Sequence, residues 1–299
     1  MRDFYVVIDE SGAKGYSNQR EQWKGEFGLV AGIVFSYDKL SEIEKVCNSI
    51  RSQYEKNTGK THITDLAPSE QENARQAVYQ MIKDFDVNIV HSPIFVEGFC
   101  KANNKPSPEA ESTEYRFSTH CVKESLHATL LSNVIDYAIA YCVDVAETYD
   151  IHLYCISDNL DEPIKKNTAR ITDELLNVAQ EQTKAFTAFN TVTKKIEERK
   201  ISMKMTSSGN CIDEFEKVKV EKIVSEDTGL TFVVDVLVNS IHYFIKDYVS
   251  RQKNLSNVRL HSPNVLNDFP LKDFIYSFRN DGEICCPDSI YRYPEEVNG

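Results

Sequence analysis

The chain has 299 residues, of which 34 are Lys or Arg and 46 are Asp or Glu, giving a formal net charge of −12 at pH 7. A hydrophobic content of 41% excludes a disordered chain, and 11 Gly with 9 Pro are too few for a loop-rich or collagen-like protein. The acidity argues against binding of nucleic acid by bulk charge, although an acidic body can still carry a basic groove.

The first third of the sequence predicts strands alternating with helices. Continuous apolar runs rich in β-branched and aromatic residues predict buried strands, and apolar residues at helical spacing predict the helices between them. The predicted strands cover 4–8, 27–35 and 87–96; helices follow Leu40 and cover 68–84; and 61–65 is predicted as a short extended piece.

The rest of the chain continues the alternation and predicts an α/β fold in one domain, 1–299. It includes a long helical insertion at about 101–149 and an irregular C-terminal extension at about 251–299. Within these, the sequence predicts a loop at 101–112, helices at 114–148, 163–188 and 229–249, and strands at 151–156, 201–205 and 218–224.

The N-terminal apolar run is too short for a signal peptide, and no uninterrupted stretch reaches the roughly 18 apolar residues of a membrane span. We therefore expect a cytoplasmic protein with no membrane partner. The eight cysteines contain no CxxC pair, which predicts reduced and mostly buried thiols.

Three aspartates are notable for their apolar surroundings. Asp9 and Asp158 each end an apolar strand, and Asp235 lies within an apolar helix. Buried carboxylates need a partner, a proton or a cation, and open α/β sheets place ligands at the carboxyl ends of their strands. Clustered carboxylates suit magnesium or manganese, and two such ions can support phosphodiester hydrolysis.

A structural role is the alternative for each of these aspartates. An aspartate at a strand end is often a turn-former or a helix cap, which applies to Asp9 and Asp158. Asp235 could instead be a buried hydrogen-bond partner for another helix. Spacing alone leaves both interpretations open.

The sequence also resembles a microbial family catalogued as domain of unknown function 3800. The resemblance is carried by Val7-Ile8-Asp9-Glu10-Ser11-Gly12 followed by the apolar strand 27–35, then by 60–66, by Cys155-Ile-Ser-Asp158 and by the helix 229–238. It spans about residues 4–248. It departs from the family pattern at Thr231 and Phe232, where Gln is common, and at Val236, where Ala is usual.

The resemblance implies a ribonuclease H-like mixed sheet flanked by helices and a nuclease that uses magnesium or manganese, with two ions. Asp9 would be the central ligand, and Asp158 and Asp235 would each complete a metal site. Glu10 would be a further ligand or catalytic group, or would point outward, because neighbouring strand residues face opposite sides. Members of the family often accompany phage-defence or mobile-element genes.

The substrate implied by the resemblance is nucleic acid, with DNA and RNA both open. Ser11 would orient Asp9 or contact a phosphate, and Asp65 would be a supporting or substrate-binding group; we interpret His62 as structural. A basic run from 194 to 222, which includes Lys194 and Lys195, could be a phosphate track or a solvated helix face. A homodimer or an activating protein partner is also open. The alternative function is a non-catalytic binding or regulatory protein that keeps the fold and uses its acids structurally.

Overall fold

The computed structural model describes residues 2–55, 61–103, 115–117, 125–146, 150–158, 160–176, 182–190, 192–203, 218–276 and 287–295. The strands are β1 Arg2–Gly12, β2 Phe27–Ser36, β3 Asn88–Phe95, β4 Tyr115–Phe117, β5 Ile151–Ser157, β6 Gln182–Asn190, β7 Ile196–Met203, β8 Val218–Val220 and β9 Val224–Ser225. The α-helices are α1 Leu40–Ser52, α2 Pro68–Phe85, α3 Val96–Asn103, α4 Leu126–Val145, α5 Glu162–Leu176, α6 Gly229–Ser250 and α7 Pro287–Ile290. Short 3-10 helices lie at Tyr37–Lys39, Ile63–Asp65, Leu255–Asn257, Pro263–Leu266 and Lys272–Phe274.

The main sheet has the strand order β3-β2-β1-β5-β8. β9 also pairs with β5, nearer the carboxyl end of β5 than β8 does. β1 is antiparallel to β2, which is antiparallel to β3, whereas β1, β5 and β8 are parallel to one another. The fold is therefore α/β with a mixed sheet flanked by helices, as the alternation of elements predicts.

Helices cover both faces of this sheet because its central strands are apolar on both sides. Val7 belongs to a core shared with α1, α2 and α6, and we call this side the α6 face. Phe4, Val6 and Ile8 belong to a second core shared with α4, and we call that side the α4 face; α5 packs on α4 there. Alternate residues of β1 thus enter different cores.

A second, three-stranded sheet has the order β4-β6-β7, with both pairings antiparallel. The turn between β6 and β7 is closed by Asn190, whose side chain accepts the N–H groups of Val192 and Thr193 at 2.9 Å each. Such side-chain caps are typical of Asn in turns.

The helix predicted at 114–148 is wrong over its first part. Tyr115–Phe117 is strand β4, and the helix begins at Leu126. The hydroxyl of Ser125, the residue before it, accepts the N–H of Ala128 at 3.2 Å. Ser is a favoured N-cap because its oxygen satisfies a free helical N–H. Furthermore, α4 packs on β2 and β3 and forms a layer of the core.

Three other predicted elements also differ from the structure. The helix predicted at 163–188 ends at Leu176, and 182–190 is β6, because its alternation of Thr, Ala and Phe suits a strand. The piece predicted as extended at 61–65 contains a 3-10 helix, in which the Asp65 carboxylate accepts the His62 N–H at 3.2 Å. Finally, α3 extends to Asn103, inside the predicted loop 101–112.

By length and composition, α4 and α6 could each cross a membrane, but 56% and 67% of their apolar windows are buried within the protein. This burial is consistent with core helices of a soluble α/β protein. Four cysteines are buried, as predicted: Cys47, Cys100, Cys142 and Cys155. The other four, Cys121, Cys211, Cys285 and Cys286, lie outside the described residues.

Candidate functional site

Asp9 and Asp158 are placed side by side by the parallel pairing of β1 with β5. The last residue pair of this ladder is Ile8 with Ser157, and each aspartate comes one residue later. Since paired strands lie about 4.8 Å apart, the two aspartate backbones are neighbours at the carboxyl end of the sheet. The expectation that Asp9 and Asp158 become neighbours is supported at the level of the backbone, but the prediction that Asp9 ends its strand is wrong. β1 continues to Gly12, because its pairing with β2 goes on past Asp9, which lies opposite Ala31.

The Asp9 side chain belongs to the α6 face. Val7, two residues earlier, packs in the core on that side, and side chains two residues apart on a strand share a face. Asp9 is only 7% exposed, and its Oδ1 accepts the Glu10 N–H at 2.9 Å. Ile156, two residues before Asp158, also packs in the core of the α6 face.

Asp235 lies on α6 and connects this helix to the 3-10 helix at Ile63–Asp65. Its Oδ2 accepts the Ile63 N–H at 2.8 Å and lies 3.7 Å from His62 Nδ1. The Asp235 side chain is 20% exposed, so it is reached by solvent although its helix is mostly buried. This contact corresponds to the structural alternative for Asp235, with a 3-10 helix as its partner in place of an α-helix.

His242, also on α6, is a site residue that the sequence did not reveal. Its ring packs at 4.7 Å on that of Phe27, and its Nε2 is buried without a hydrogen-bond partner. A Cβ on Gly12, whose φ is +80°, would lie 2.8 Å from this Nε2 and 2.6 Å from the Phe27 carbonyl oxygen. Glycine at position 12 therefore leaves room for the His242 ring. The only hint of this contact in the sequence is the position of Gly12 shortly after the acidic residues Asp9 and Glu10.

The contact of His242 with Gly12 shows where Asp235 lies along the sheet. The last turn of α6 packs near Gly25, which precedes β2 and lies beyond the carboxyl end of β1. α6 therefore runs in roughly the same direction as β1. Asp235 precedes His242 by about 10 Å of helix, and Asp9 precedes Gly12 by about 10 Å of strand, so the two aspartates are at a similar level.

The donor atoms of this region suit a hard cation, but they do not form a ready-made ligand set. Carboxylate oxygens are the ligands that magnesium and manganese prefer. Within the described parts of the chain, however, no three His, Cys, Asp or Glu side chains are grouped closely enough to hold one metal ion. A metal would require the carboxylates of Asp9, Asp158 and Asp235 to turn toward one another.

Glu10 has different surroundings from Asp9, on the α4 face. Its Oε1 forms an ion pair with Lys14, and its Oε2 lies 3.7 Å from Nε2 of His127 on α4. Burial raises the pKa of Glu10, but contacts with His127 and Lys14 outweigh it and bring the pKa down to about 2. Glu10 thus points away from Asp9, which is one of the two orientations expected from the sequence.

The other predicted site residues are only partly brought together. Ser11 is half-buried and shares the α6 face with Asp9, by the alternation of β1. Asp65 caps its own 3-10 helix, next to the contact of Asp235 with Ile63. Lys194 and Lys195 are exposed in the turn of the second sheet, and none of the described contacts joins them to the aspartates.

A cleft of about 250 Å³ lies beyond the carboxyl end of β1, on the side of Glu10. Its wall is the loop that follows Gly12, which contributes Lys14 and Arg20, and its floor includes Phe99 and Leu126. Arg20 is paired with Glu97 and Lys14 with Glu10, so both cations of the cleft already have acidic partners.

No protein-family model matches this chain, and no curated protein matches it either. The evidence for a function therefore comes from the residues themselves. Their arrangement combines two neighbouring aspartates near the carboxyl ends of β1 and β5, a third acid on the helix that covers them, and a half-buried histidine at the same end of the sheet.

Proposed function

We propose that the protein is a divalent-metal-dependent nuclease that hydrolyses phosphodiester bonds of DNA or RNA. The observation that carries this proposal is the register of β1 and β5, which puts Asp9 beside Asp158 at the carboxyl end of the sheet. Asp235 supports it, because α6 covers this end of the sheet on the same face as Asp9.

The proposal includes membership of the family catalogued as domain of unknown function 3800, with a ribonuclease H-like fold. The order implied by that resemblance supports it: early strands, a helix, a strand followed by Asp158, a helix, and a late helix with Asp235. A role in phage defence is an expectation from the same resemblance, and a cytoplasmic location is an expectation from the pattern of apolar residues.

In this proposal Asp9, Asp158 and Asp235 hold the metal, and Ser11 contacts Asp9 or a phosphate. Bound magnesium or manganese ions would supply an activated water and stabilise the leaving oxygen. Asp9 is oriented by the Glu10 N–H and Asp235 by the Ile63 N–H. Backbone donors of this kind fix a carboxylate without neutralising it.

A non-catalytic binding or regulatory protein is the second candidate. The observation in its favour is that Asp235 bonds to Ile63 and that no three potential ligands are grouped among the described residues. In that case the acids would serve only to hold α6 against the carboxyl end of the sheet, and no metal would bind there.

Incubation of the purified protein with single- and double-stranded DNA and RNA, plus magnesium or manganese, tests the proposal. We expect cleavage that is lost in Asp9→Asn and Asp158→Asn and kept in Asp268→Asn, a matched control because Asp268 is exposed outside the site. Calorimetric titration with manganese gives a readout independent of cleavage. Heat of binding that persists unchanged in Asp9→Asn and Asp158→Asn, or cleavage that survives in them, would overturn the metal site.

A further inference from the structure

A line of polar side chains runs along α6, and we call it the α6 polar stripe: Asp235, Asn239, His242 and Lys246. The spacing of four, three and four residues places them on one side of the helix. Every residue from Gly229 to Ile241 is buried except Asp235 and Asn239. Asp235 and Asn239 are therefore the points at which solvent reaches the first half of α6. The stripe extends about 16 Å along the helix.

Each member of the stripe faces a different neighbouring element. Asp235 meets Ile63, and Asn239 Oδ1 accepts from the guanidinium of Arg75 on α2 at 3.1 Å. His242 meets Gly12 at the end of β1. Asp235, Asn239 and His242 therefore lie next to the 3-10 helix at Ile63–Asp65, α2 and the end of β1, respectively.

The far end of the stripe combines a cation with an aromatic ring. Lys246 is exposed, and its Nζ lies 5.1 Å from the centre of the Trp23 ring. Trp23 is half-buried and packs edge-on against Phe27 at 6.3 Å. The nearby Asp247 is ion-paired with Arg251, so its charge is offset within its own turn.

The charges of the stripe change from one end to the other. Acidic groups lie at the Asp235 end, beside the strand ends of Asp9 and Asp158. Arg75 lies in the middle and Lys246 at the other end. His242 adds no charge near neutral pH, because burial and then the charge of Lys246 lower its pKa to about 4.

We propose that the α6 polar stripe is the track for a single-stranded polynucleotide. Arg75 and Lys246 contact its phosphates, and a base stacks on Trp23, beyond the carboxylates that hold the metal. Proteins that bind single strands combine cations along the backbone with aromatic rings for the bases in this way. A duplex conceals its base faces everywhere except at its ends, so its interior bases cannot stack on Trp23. The inference rests on the proposed nuclease function and names its substrate class.

The only tryptophan of the sequence is Trp23, so its fluorescence reports on the track directly. The full-length protein, in EDTA to prevent cleavage, is titrated with oligothymidylate and oligouridylate of about ten nucleotides and with a hairpin duplex. We expect the single strands to quench Trp23 emission and the duplex to leave it unchanged. The comparison of the two single strands distinguishes DNA from RNA as the preferred ligand.

Substitutions test the two halves of the recognition with a labelled oligonucleotide. Lys246→Gln is expected to weaken binding about threefold to tenfold. It should also reduce the slope of log affinity against log salt concentration by about 1, which corresponds to one phosphate contact. Lys83→Gln changes an exposed lysine of α2 and is the matched control. It should leave the affinity and its salt dependence unchanged. Trp23→Leu is expected to weaken binding about tenfold, whereas Trp23→Phe keeps a ring and most of the affinity.

Unchanged Trp23 emission, equal affinity for the duplex, or equal effects of the two lysine variants would overturn the track. The failure of the nuclease proposal has a different signature. Quenching by single strands without cleavage in manganese refutes the nuclease and supports the track, whereas cleavage without quenching refutes the track and supports the nuclease.

Discussion

The two faces of the main sheet hold their acidic side chains in different ways. On the α6 face, Asp9 and Asp235 accept backbone N–H groups. On the α4 face, Glu10 contacts Lys14 and His127. The Oδ1 of Asp136, on α4, is buried without a hydrogen-bond partner.

The difference shows that neighbouring acids can have opposite uses. A backbone donor orients a carboxylate and preserves its charge, whereas a lysine neutralises it and gains stability from the pair. An acid without a partner avoids its charge by keeping a proton, and burial accordingly raises the pKa of Asp136 to about 8. We therefore associate the α6 face with the proposed chemistry and the α4 face with stability.

The largest expected effect is the difference in cleavage rate between variants of Asp9 and Glu10. Asp9→Asn should reduce the cleavage rate at least about 100-fold, because it removes a charge from the proposed metal site. Glu10→Gln should stay within a few-fold of the original rate at pH 7, because its side chain lies on the other face. Single-turnover cleavage assays measure both, and equal losses would contradict the division between the faces.

The second prediction concerns Gly12, where β1 meets His242. Gly12→Ala should lower the free energy of unfolding by about 2–4 kcal/mol, from the strain of a positive φ and the clash with Phe27. Urea denaturation measures it. Gly15→Ala is a control in the same loop, because a Cβ at that position would meet the flexible side chain of Gln19, which can move aside. Two equal losses would show that the Gly12 contacts are not specific.

The third prediction uses the lowered pKa of Glu10 on the α4 face. Because its folded-state pKa of about 2 is below the ordinary value of 4.5, Glu10 stabilises the fold above pH 4.5. That contribution is lost as the pH falls from 4.5 to about 2. Glu10→Gln should therefore cost about 1–2 kcal/mol at pH 7 and little near pH 2. A loss that is the same at every pH would exclude the ion-pair explanation.

The smallest expected effect has the opposite sign and concerns Asp136. The pKa of Asp136 is raised from 3.8 to about 8 in the folded protein. Between these two pH values the unfolded chain ionises this carboxyl group whereas the folded protein keeps it protonated, so Asp136 disfavours the fold increasingly as the pH rises. The stability of the original protein should decline as the pH rises from about 4 to about 8, and Asp136→Asn should remove that decline. At pH 8 the variant should be the more stable of the two proteins, as measured by urea denaturation. A less stable variant would show that the ionised carboxylate is paired.

The sequence predicted best the elements whose burial is continuous. The strands at 27–35 and 87–96 and the helix at 229–249 match β2, β3 and α6 within a residue or two. Each is a long apolar run, for which burial alone decides the type of element. The helix predicted at 163–188 failed because its second half pairs with β7, and strand pairing is not visible in local spacing.

The candidate site was predictable only in part, for a similar reason. The neighbouring positions of Asp9 and Asp158 followed from the apolar runs before them, although β1 continues past Asp9 to Gly12. The contact of Asp235 with Ile63 and that of His242 with Gly12 join positions more than 170 residues apart, and no local pattern specifies them. Lys194 and Lys195 formed a basic run in sequence, but they lie in a turn of the second sheet.

The parallel ladder between β1 and β5 has a consequence for how the protein folds. It pairs Ile8 with Ser157, whereas β1, β2 and β3 are consecutive neighbours that can pair as soon as they leave the ribosome. Closing so large a loop costs entropy before any contact repays it, which makes distant parallel pairing slow. Asp9 and Asp158 thus come together only after more than half of the chain has been synthesised.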